Sequence, residues 1–145
     1  MEIDFGTELY ARELVLRDAM LRKPIGLKHS EADLEKEPGY RHFGLLLEGH
    51  LVACLMVVPH GDELVQIRQM AVRDDLQGRG YGRFLMTAVE PILEASGVGR
   101  IFLNARHTAI AFYEKLGYAG VGERFTEVGI PHLPMEKALR SSISS

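Results

Sequence analysis

The chain has 145 residues, of which 46% are hydrophobic and 26% are charged, and its formal net charge is −3. These values predict one globular domain, over residues 1–140, with a core that needs no metal or disulfide, and the negative charge argues against a nucleic-acid partner. Because no basic leader precedes an apolar stretch and no apolar run reaches the roughly 18 residues of a membrane span, we expect a cytoplasmic protein without membrane contact.

The first third of the chain predicts a strand, a helix and a long loop. A short strand is expected over residues 2–5. Thr7 is suited to cap a helix that runs from residue 8 to about residue 21. Residues 22–40 are polar and rich in proline and glycine, which predicts a loop with one helical turn near residues 31–36.

A three-stranded meander is predicted next. Residues 43–47 and 51–58 flank Glu48-Gly49-His50 and have the pattern of a hairpin, and residues 64–72 form the next strand. The only cysteine, Cys54, lies in the apolar second strand. We interpret it as a core residue rather than a nucleophile.

A long amphipathic helix is predicted from about residue 80 to residue 95, with a kink at Pro91. Its expected buried face comprises Phe84, Leu85, Ala88, Val89, Ile92 and Leu93. A strand over residues 100–104 follows, and the helical crossover makes it parallel to the strand over residues 64–72.

The C-terminal part predicts a short helix over residues 108–116, ended by Gly117. Strands near residues 118–125 and 130–135 would complete the sheet. Residues 141–145 are predicted to be a disordered tail. The fold class is therefore α/β, with a mixed, mostly antiparallel sheet of six to seven strands flanked by helices.

Three alternate glycines, Gly78, Gly80 and Gly82, precede or open the long helix. Glycine lets a ligand approach the backbone, and the N–H groups of a helix start are unpaired, so the segment predicts an anion site. A Walker A loop is excluded because no Gly-Lys-Ser/Thr exists. A dinucleotide fingerprint is disfavoured because the spacing is G-x-G-x-G and the next strand ends at Asn104 instead of an acidic residue.

Two blocks resemble the GNAT N-acetyltransferase superfamily. The run Gln-Gly-Arg-Gly-Tyr-Gly over residues 77–82 matches the superfamily's Q/R-x-x-G-x-G/A motif. The run Ala-Ile-Ala-Phe-Tyr-Glu-Lys-Leu-Gly-Tyr over residues 109–118 resembles its A-x-x-F-Y-E-K-L-G-F segment. The resemblance covers roughly residues 64–122 and implies a single-domain fold in which the strands 64–72 and 100–104 splay apart in a V.

The resemblance also implies acetyl-CoA as the cofactor. Its pyrophosphate would bind the glycine loop, and its pantetheine arm would pair with residues 70–72, where a backbone N–H would polarise the thioester carbonyl. The expected contacts are Met70, Ala71, Val72, Gln77, Gly78, Arg79, Gly80, Tyr81, Gly82, Arg83 and Asn104. Arg73, Arg79 and Arg83 can add charge-assisted bonds to phosphate, and a solvated surface position is the alternative for each arginine.

Two residues are candidates for proton transfer. Tyr113 matches the tyrosine that serves as general acid in the superfamily, and its alternative is a packing aromatic. His132 lies between two prolines, Pro131 and Pro134. The surrounding segment resembles a small GNAT group to which glyphosate N-acetyltransferase belongs. The matching histidine of that enzyme is the base. The alternative is a histidine that only holds the last hairpin.

The same resemblance assigns Arg22, Arg68 and Arg106 to the anionic groups of the substrate. Arg68 supports this independently, because a charge within an apolar strand needs either a cleft or a partner. An internal salt bridge is the alternative for it. Arg106 stands where many family members have asparagine, which puts the usual water-relay role of that position in doubt.

The predicted function is acetyl transfer from acetyl-CoA to a small amine that carries carboxylate or phosphonate groups. Acetylation of a protein or peptide, and a non-catalytic acyl-CoA-binding module, are the alternatives. No metal is predicted. Dimers are common in the superfamily, so a homodimer is compatible with the sequence, although no residue indicates an interface.

Overall fold

The computed structural model of the chain describes residues 1–4, 6–17, 19–20, 37–61, 63–127 and 129–139. Arg22, most of the predicted loop and the C-terminal tail lie outside the described residues. The strands are β1 Glu2–Ile3, β2 Arg41–Leu47, β3 His50–Pro59, β4 Leu64–Val72, β5 Arg100–Arg106, β6 Ala119–Gly120, β7 Phe125–Glu127 and β8 Ile130–Ala138. The helices are α1 Glu8–Arg17, α2 Tyr81–Ala95 and α3 Ile110–Lys115, and short 3-10 turns cover Glu37–Gly39, Asp74–Leu76 and His107–Ala109.

The strands form a sheet in the order β1-β2-β3-β4-β5-β8-β6, and β7 pairs with β8. The β1–β2, β2–β3, β5–β8, β6–β8 and β7–β8 pairs are antiparallel, and β4–β5 is parallel. The predicted α/β class with a mixed, mostly antiparallel sheet is therefore confirmed.

The sheet has eight strands, whereas six to seven were predicted. The prediction of one strand over residues 118–125 is wrong, because this part of the chain forms two short strands, β6 and β7, separated by the exposed residues 121–124. Pro131 and Pro134 of β8 carry no N–H for a ladder, which limits what a partner strand can pair with. Val121 still donates its N–H to the carbonyl of Pro134 at 2.9 Å.

The chain divides into two compact units. Unit 1 comprises Met1–Val58 and Arg68–Val89. Its packing includes a cluster of buried side chains from α1, β1, β3 and β4, namely Ile3, Tyr10, Leu16, Leu51, Cys54 and Ala71. Cys54 is fully buried, which confirms it as a core residue, and burial raises the pKa of its thiol above the ordinary range.

Unit 2 comprises Pro59–Ile67 and Glu90–Ser145. The parallel ladder between β4 and β5 has three pairs, from Leu64 with Arg100 to Gln66 with Phe102. This is short for strands of nine and seven residues. The antiparallel ladder between β5 and β8 has seven pairs and ends with Arg106 opposite His132. Buried apolar residues of unit 2 include Val65, Ile67, Leu93, Val98, Ile101, Leu103, Tyr113, Leu116, Tyr118 and Met135.

The buried face of α2 differs from the prediction. Leu85, Val89 and Leu93 are buried as expected, together with Met86 and Glu90. Phe84 and Ile92 are 60% and 41% exposed, and Ala88 is exposed as well. Residues 84, 88 and 92 form one i, i+4 row, so an error in the phase of the helix misplaces all three together.

The exposed face of Phe84 borders a cavity of about 250 Å³ within unit 1. Its other walls come from the end of β2 and the segment that opens α2, namely Leu45, Leu46, Leu47, Arg79, Gly80 and Tyr81. None of the helices in the described part of the chain is long and apolar enough to cross a membrane.

Candidate functional site

The glycine segment of unit 1 joins β4 to α2 and has the backbone conformation that its sequence requires. Gly78 and Gly80 have φ of 79° and 89°, in the left-handed region that favours glycine. A Cβ at either residue would meet no atom within 4 Å, so the space above the loop is open. Phe84 donates its N–H to the Gly80 carbonyl at 2.9 Å, so the first turn of α2 begins there. The N–H groups of that turn point out of the helix start, where an anion is stabilised.

The side chains around this loop are of two kinds: some are bonded to other groups of the protein, and others are exposed without an ion pair among the described residues. Gln77 donates its side-chain amide to the carbonyl of Val72 at 3.0 Å and so fastens the loop to the end of β4. Arg73 is paired with Asp75 at 2.6 Å, which engages its guanidinium within the turn. Arg79 and Arg83 are exposed and form no ion pair within the described part of the chain. They are the more available cations for a phosphate.

Strand β4 is distorted just before the residues predicted to face the cofactor. Gln69 has φ of 55°, a left-handed conformation that costs a non-glycine residue about 1 kcal/mol. The thiol of Cys54 on β3 contacts the Gln69 carbonyl at 3.8 Å. Such irregularities turn the backbone groups that follow them and occur near functional sites. Met70, Ala71 and Val72 follow directly.

Arg68 lies one residue before this distortion and is exposed. Among the described residues, no carboxylate lies within ion-pair distance of its guanidinium. The alternative of an internal salt bridge therefore has no support in the described part of the chain. As far as the described residues show, the charge of Arg68 is available to a ligand.

Tyr113, the candidate acid, lies on α3 in unit 2 and is only 8% exposed. Its ring makes edge contacts with Phe112 and Tyr118 at centroid distances of 5.0 and 5.8 Å. Burial raises the pKa of Tyr113 to about 12, although the positive charge of Arg106 acts in the opposite direction. A phenol in this setting keeps its proton at neutral pH, as a general acid must.

His132, the candidate base, lies on β8 and is 9% exposed. Its Nδ1 is 2.8 Å from the backbone carbonyl of Ile130. A carbonyl oxygen can only accept a hydrogen bond, so Nδ1 carries the proton. Among the described residues, no group hydrogen-bonds Nε2, and in the neutral ring that nitrogen holds the lone pair.

Arg106 and Asn104 lie on the neighbouring strand β5. Arg106 is opposite His132 in the ladder, and its charge also acts on Tyr113. Within unit 2 the structure therefore brings a predicted substrate residue together with the candidate acid and the candidate base. Asn104 is opposite Pro134 and is exposed.

Comparison with known proteins decides the family. The acetyltransferase (GNAT) family matches residues 8–118, which is most of the chain. The chain belongs to this family. It is therefore an acyltransferase with the GNAT fold. The family assignment favours an enzyme over a non-catalytic acyl-CoA-binding module.

Relatives of this acetyltransferase agree with the assignment. The uncharacterized N-acetyltransferase YitI of Bacillus subtilis (strain 168) is 29% identical over 134 residues, which cover 88% of this chain and 90% of YitI. A Lactobacillus plantarum protein described as an N-acetyltransferase has the same fold, with a TM-score of 0.86, 24% identity and coverage of 97% and 98%. An aminoglycoside 6'-N-acetyltransferase complexed with coenzyme A has a TM-score of 0.80 at 19% identity, with coverage of 97% of each chain.

A buried ionic cluster in unit 1 was not predicted from the sequence. It consists of Glu13 and Arg17 of α1, Glu37, and His42 of β2, each no more than 2% exposed. Arg17 donates to Glu37 at 2.8 and 2.6 Å and to Glu13 at 3.1 Å. The carboxylates and His42 are close enough to resemble a metal site, but the guanidinium already supplies the cation between the two carboxylates. The i, i+4 spacing of Glu13 and Arg17 was the available signal.

A smaller polar network in unit 2 was also missed. Tyr118 donates to Glu90 at 2.9 Å, and Lys137 donates to Glu90 at 2.8 Å and to the Leu116 carbonyl at 2.7 Å. The Lys137 ammonium thus satisfies a carbonyl at the C-terminal end of α3, the helix that carries Tyr113.

Proposed function

We propose that this acetyltransferase uses acetyl-CoA to acetylate the primary or secondary amine of a small molecule that carries carboxylate or phosphonate groups. One observation supports this class of acceptor. The guanidinium of Arg68 is exposed on a strand, and it has no carboxylate partner in the described part of the chain. Sequence resemblance to the group that contains glyphosate N-acetyltransferase supports the same class. Bidentate arginine contacts select carboxylate and phosphonate over neutral groups.

The glycine segment fits the pyrophosphate of the cofactor. The open space over Gly78 and Gly80 and the unpaired N–H groups of the first turn of α2 suit an anion, and Arg79 and Arg83 add positive charge. Backbone N–H groups within residues 70–72 would stabilise the negative charge that develops on the thioester oxygen. The cofactor supplies an acetyl group activated as a thioester.

His132 and Tyr113 divide the proton transfers. The lone pair of His132 Nε2 accepts the proton of the attacking amine, while Nδ1–H continues to donate to Ile130. As the new C–N bond forms and the C–S bond breaks, the Tyr113 hydroxyl gives its proton to the leaving thiolate. Exchange with solvent then returns both side chains to their starting protonation. The guanidinium of Arg68 would bind an acidic group of the acceptor.

A thiol-release assay over an acceptor panel tests the substrate class. We expect turnover of acidic amino acids and aminophosphonates and little turnover of polyamines or basic peptides. The opposite preference would contradict the proposal and would favour acetylation of a protein or peptide.

Matched arginine variants test the residue that carries the argument. We expect Arg68→Met to raise the KM of the acidic acceptor about tenfold or more, with the KM of acetyl-CoA unchanged. Arg100→Met is the control, because Arg100 is an exposed strand arginine that pairs with Glu136 at 3.2 Å. Equal acceptor KM values in the two variants would remove Arg68 from the substrate site.

A further inference from the structure

The imidazole of His132 is held on an edge and on a face. The edge contact is the 2.8 Å hydrogen bond from Nδ1 to the Ile130 carbonyl. The face contact is the ring of Phe125, which is stacked on the imidazole with a centroid distance of 5.5 Å and an angle of 18° between the planes. Phe125 is directly opposite His132 in the β7–β8 ladder, so backbone pairing sets the two rings side by side.

One hydrogen bond alone fixes an imidazole poorly. Rotation about the Cβ–Cγ bond can tilt the ring out of the Ile130 carbonyl plane, and then either nitrogen can carry the proton in water. A parallel aromatic ring on one face opposes that tilt, since the stacked contact is lost as the angle opens. The face and edge contacts together select one ring orientation and one tautomer.

The surroundings of Phe125 indicate that its side chain serves this contact. It is half-buried, whereas Phe43, a core phenylalanine, is 1% exposed. The other two residues of β7, Thr126 and Glu127, are exposed. The strand therefore contributes little to the core, and its one aromatic residue lies on the imidazole.

We propose that Phe125 is a positioning residue for His132, which with the Ile130 carbonyl keeps the proton on Nδ1 and the lone pair on Nε2. The inference rests on the proposed role of His132 as base. The aromatic face also stabilises the imidazolium that forms when Nε2 takes the amine proton.

Three variants test this role. Phe125→Leu removes the aromatic face and keeps an apolar side chain, and Phe125→Tyr keeps the face. The control is Phe102→Leu, because Phe102 contacts His60 edge-on at 4.9 Å, another aromatic–histidine pair of unit 2. We expect Phe125→Leu to lower kcat about tenfold with the KM of acetyl-CoA unchanged, and the other two variants to stay within about threefold of the parent.

A spectroscopic measurement gives a result that does not depend on activity. Long-range ¹H–¹⁵N correlation at a pH where imidazole is neutral distinguishes the two tautomers, and the His132 signal is assigned by its loss in His132→Gln. We expect the Nδ1–H tautomer in the parent and a mixture in Phe125→Leu. If Phe125→Leu does not fold, Phe125→Met replaces it, and the parent spectrum alone still tests the tautomer.

The outcomes separate the two proposals. An Nε2–H tautomer in the parent, or a Phe125→Leu variant with parental kcat and tautomer, overturns the positioning role. A tautomer mixture in Phe125→Leu together with full activity of His132→Gln supports the positioning role and refutes the base. If His132→Gln loses activity while Phe125→Leu keeps the parental kcat and tautomer, the role of His132 as base is supported and the positioning role of Phe125 is refuted.

Discussion

His42 and His132 are both buried on strands of the sheet, but the atoms around their rings differ. The Nδ1 of His42 is 3.0 Å from a Glu13 oxygen, and its Nε2 is 3.1 Å from the Glu37 carbonyl. His132 has one carbonyl partner, on Nδ1. Two oxygen acceptors favour the imidazolium, whereas one acceptor leaves a nitrogen with a lone pair. The number of acceptors therefore separates a structural cation from a candidate base.

The charge around His42 supports this interpretation. Burial alone lowers the pKa of His42, but the hydrogen bonds and negative charges of Glu13 and Glu37 outweigh it, so the pKa is raised. Arg17 is the other cation that faces the two carboxylates, and Tyr10 donates its hydroxyl to Glu37 at 2.7 Å. With His42 protonated, two positive and two negative groups balance.

The largest effect is expected from breaking the cluster around His42 at its other cation. Arg17→Met leaves two buried carboxylates with one partner cation and should lower the free energy of unfolding by about 3–5 kcal/mol. Urea denaturation measures it. Arg12→Met is the control on the same helix, because its pair with Glu8 is exposed and should contribute less than about 1 kcal/mol. Equal losses in the two variants would contradict a special role of burial.

Next in size is the loss of the candidate base. His132→Gln should lower kcat about 100-fold and leave the melting temperature nearly unchanged, because its contribution is to proton transfer. Thiol release at saturating acetyl-CoA measures kcat. His60→Gln replaces an exposed histidine of the same unit and should keep parental activity. Full activity of His132→Gln would refute the base, and a lowered melting temperature beside it would make His132 structural, like His42.

Removal of the candidate acid should have a smaller effect. Tyr113→Phe should lower kcat about tenfold, since water can in part protonate the leaving thiolate. Because burial raises the pKa of Tyr113 to about 12, its ionisation should not affect kcat between neutral pH and pH about 10. Loss of kcat in that range in the parent, absent from Tyr113→Phe, would show that the hydroxyl ionises earlier and is a poor acid.

The smallest expected effect is the pH dependence of stability that His42 contributes. Its folded pKa lies above the ordinary value of 6.5, so its stabilising contribution is complete below about pH 6.5 and is lost as the pH rises through the folded pKa. The parent should lose more stability than His42→Gln over that rise. Urea unfolding at several pH values gives the difference, and parallel curves would mean that His42 is neutral in the folded chain.

Local patterns were sufficient to predict most elements of the fold and to indicate candidate residues for the chemistry in unit 2. Alternation and turn residues located β2, β3 and β4, and the glycine spacing located the start of α2. The proline-flanked His132 and the motif position of Tyr113 indicated candidate proton-transfer residues, and the roles of both stay predictions.

Long-range polar contacts could not be predicted in the same way. Glu37 follows a polar stretch and His42 is the second residue of β2, and only the fold places both against α1. The phase of α2 was misjudged because Phe84 and Ile92 are apolar but face outward. The hydrophobic pattern indicates that the helix has an apolar face, whereas which residues of that face are buried depends on the neighbouring elements that pack against it.

The buried thiol of Cys54 has a practical consequence. A chromogenic disulfide reagent that detects released coenzyme A should not react with the folded enzyme, since this cysteine is inaccessible and its pKa is raised. The enzyme therefore contributes no background to its own assay. In urea the rate at which the same reagent modifies Cys54 measures global unfolding, because the reaction requires exposure of the buried residues of β3. One reagent thus reports turnover in buffer and unfolding in denaturant.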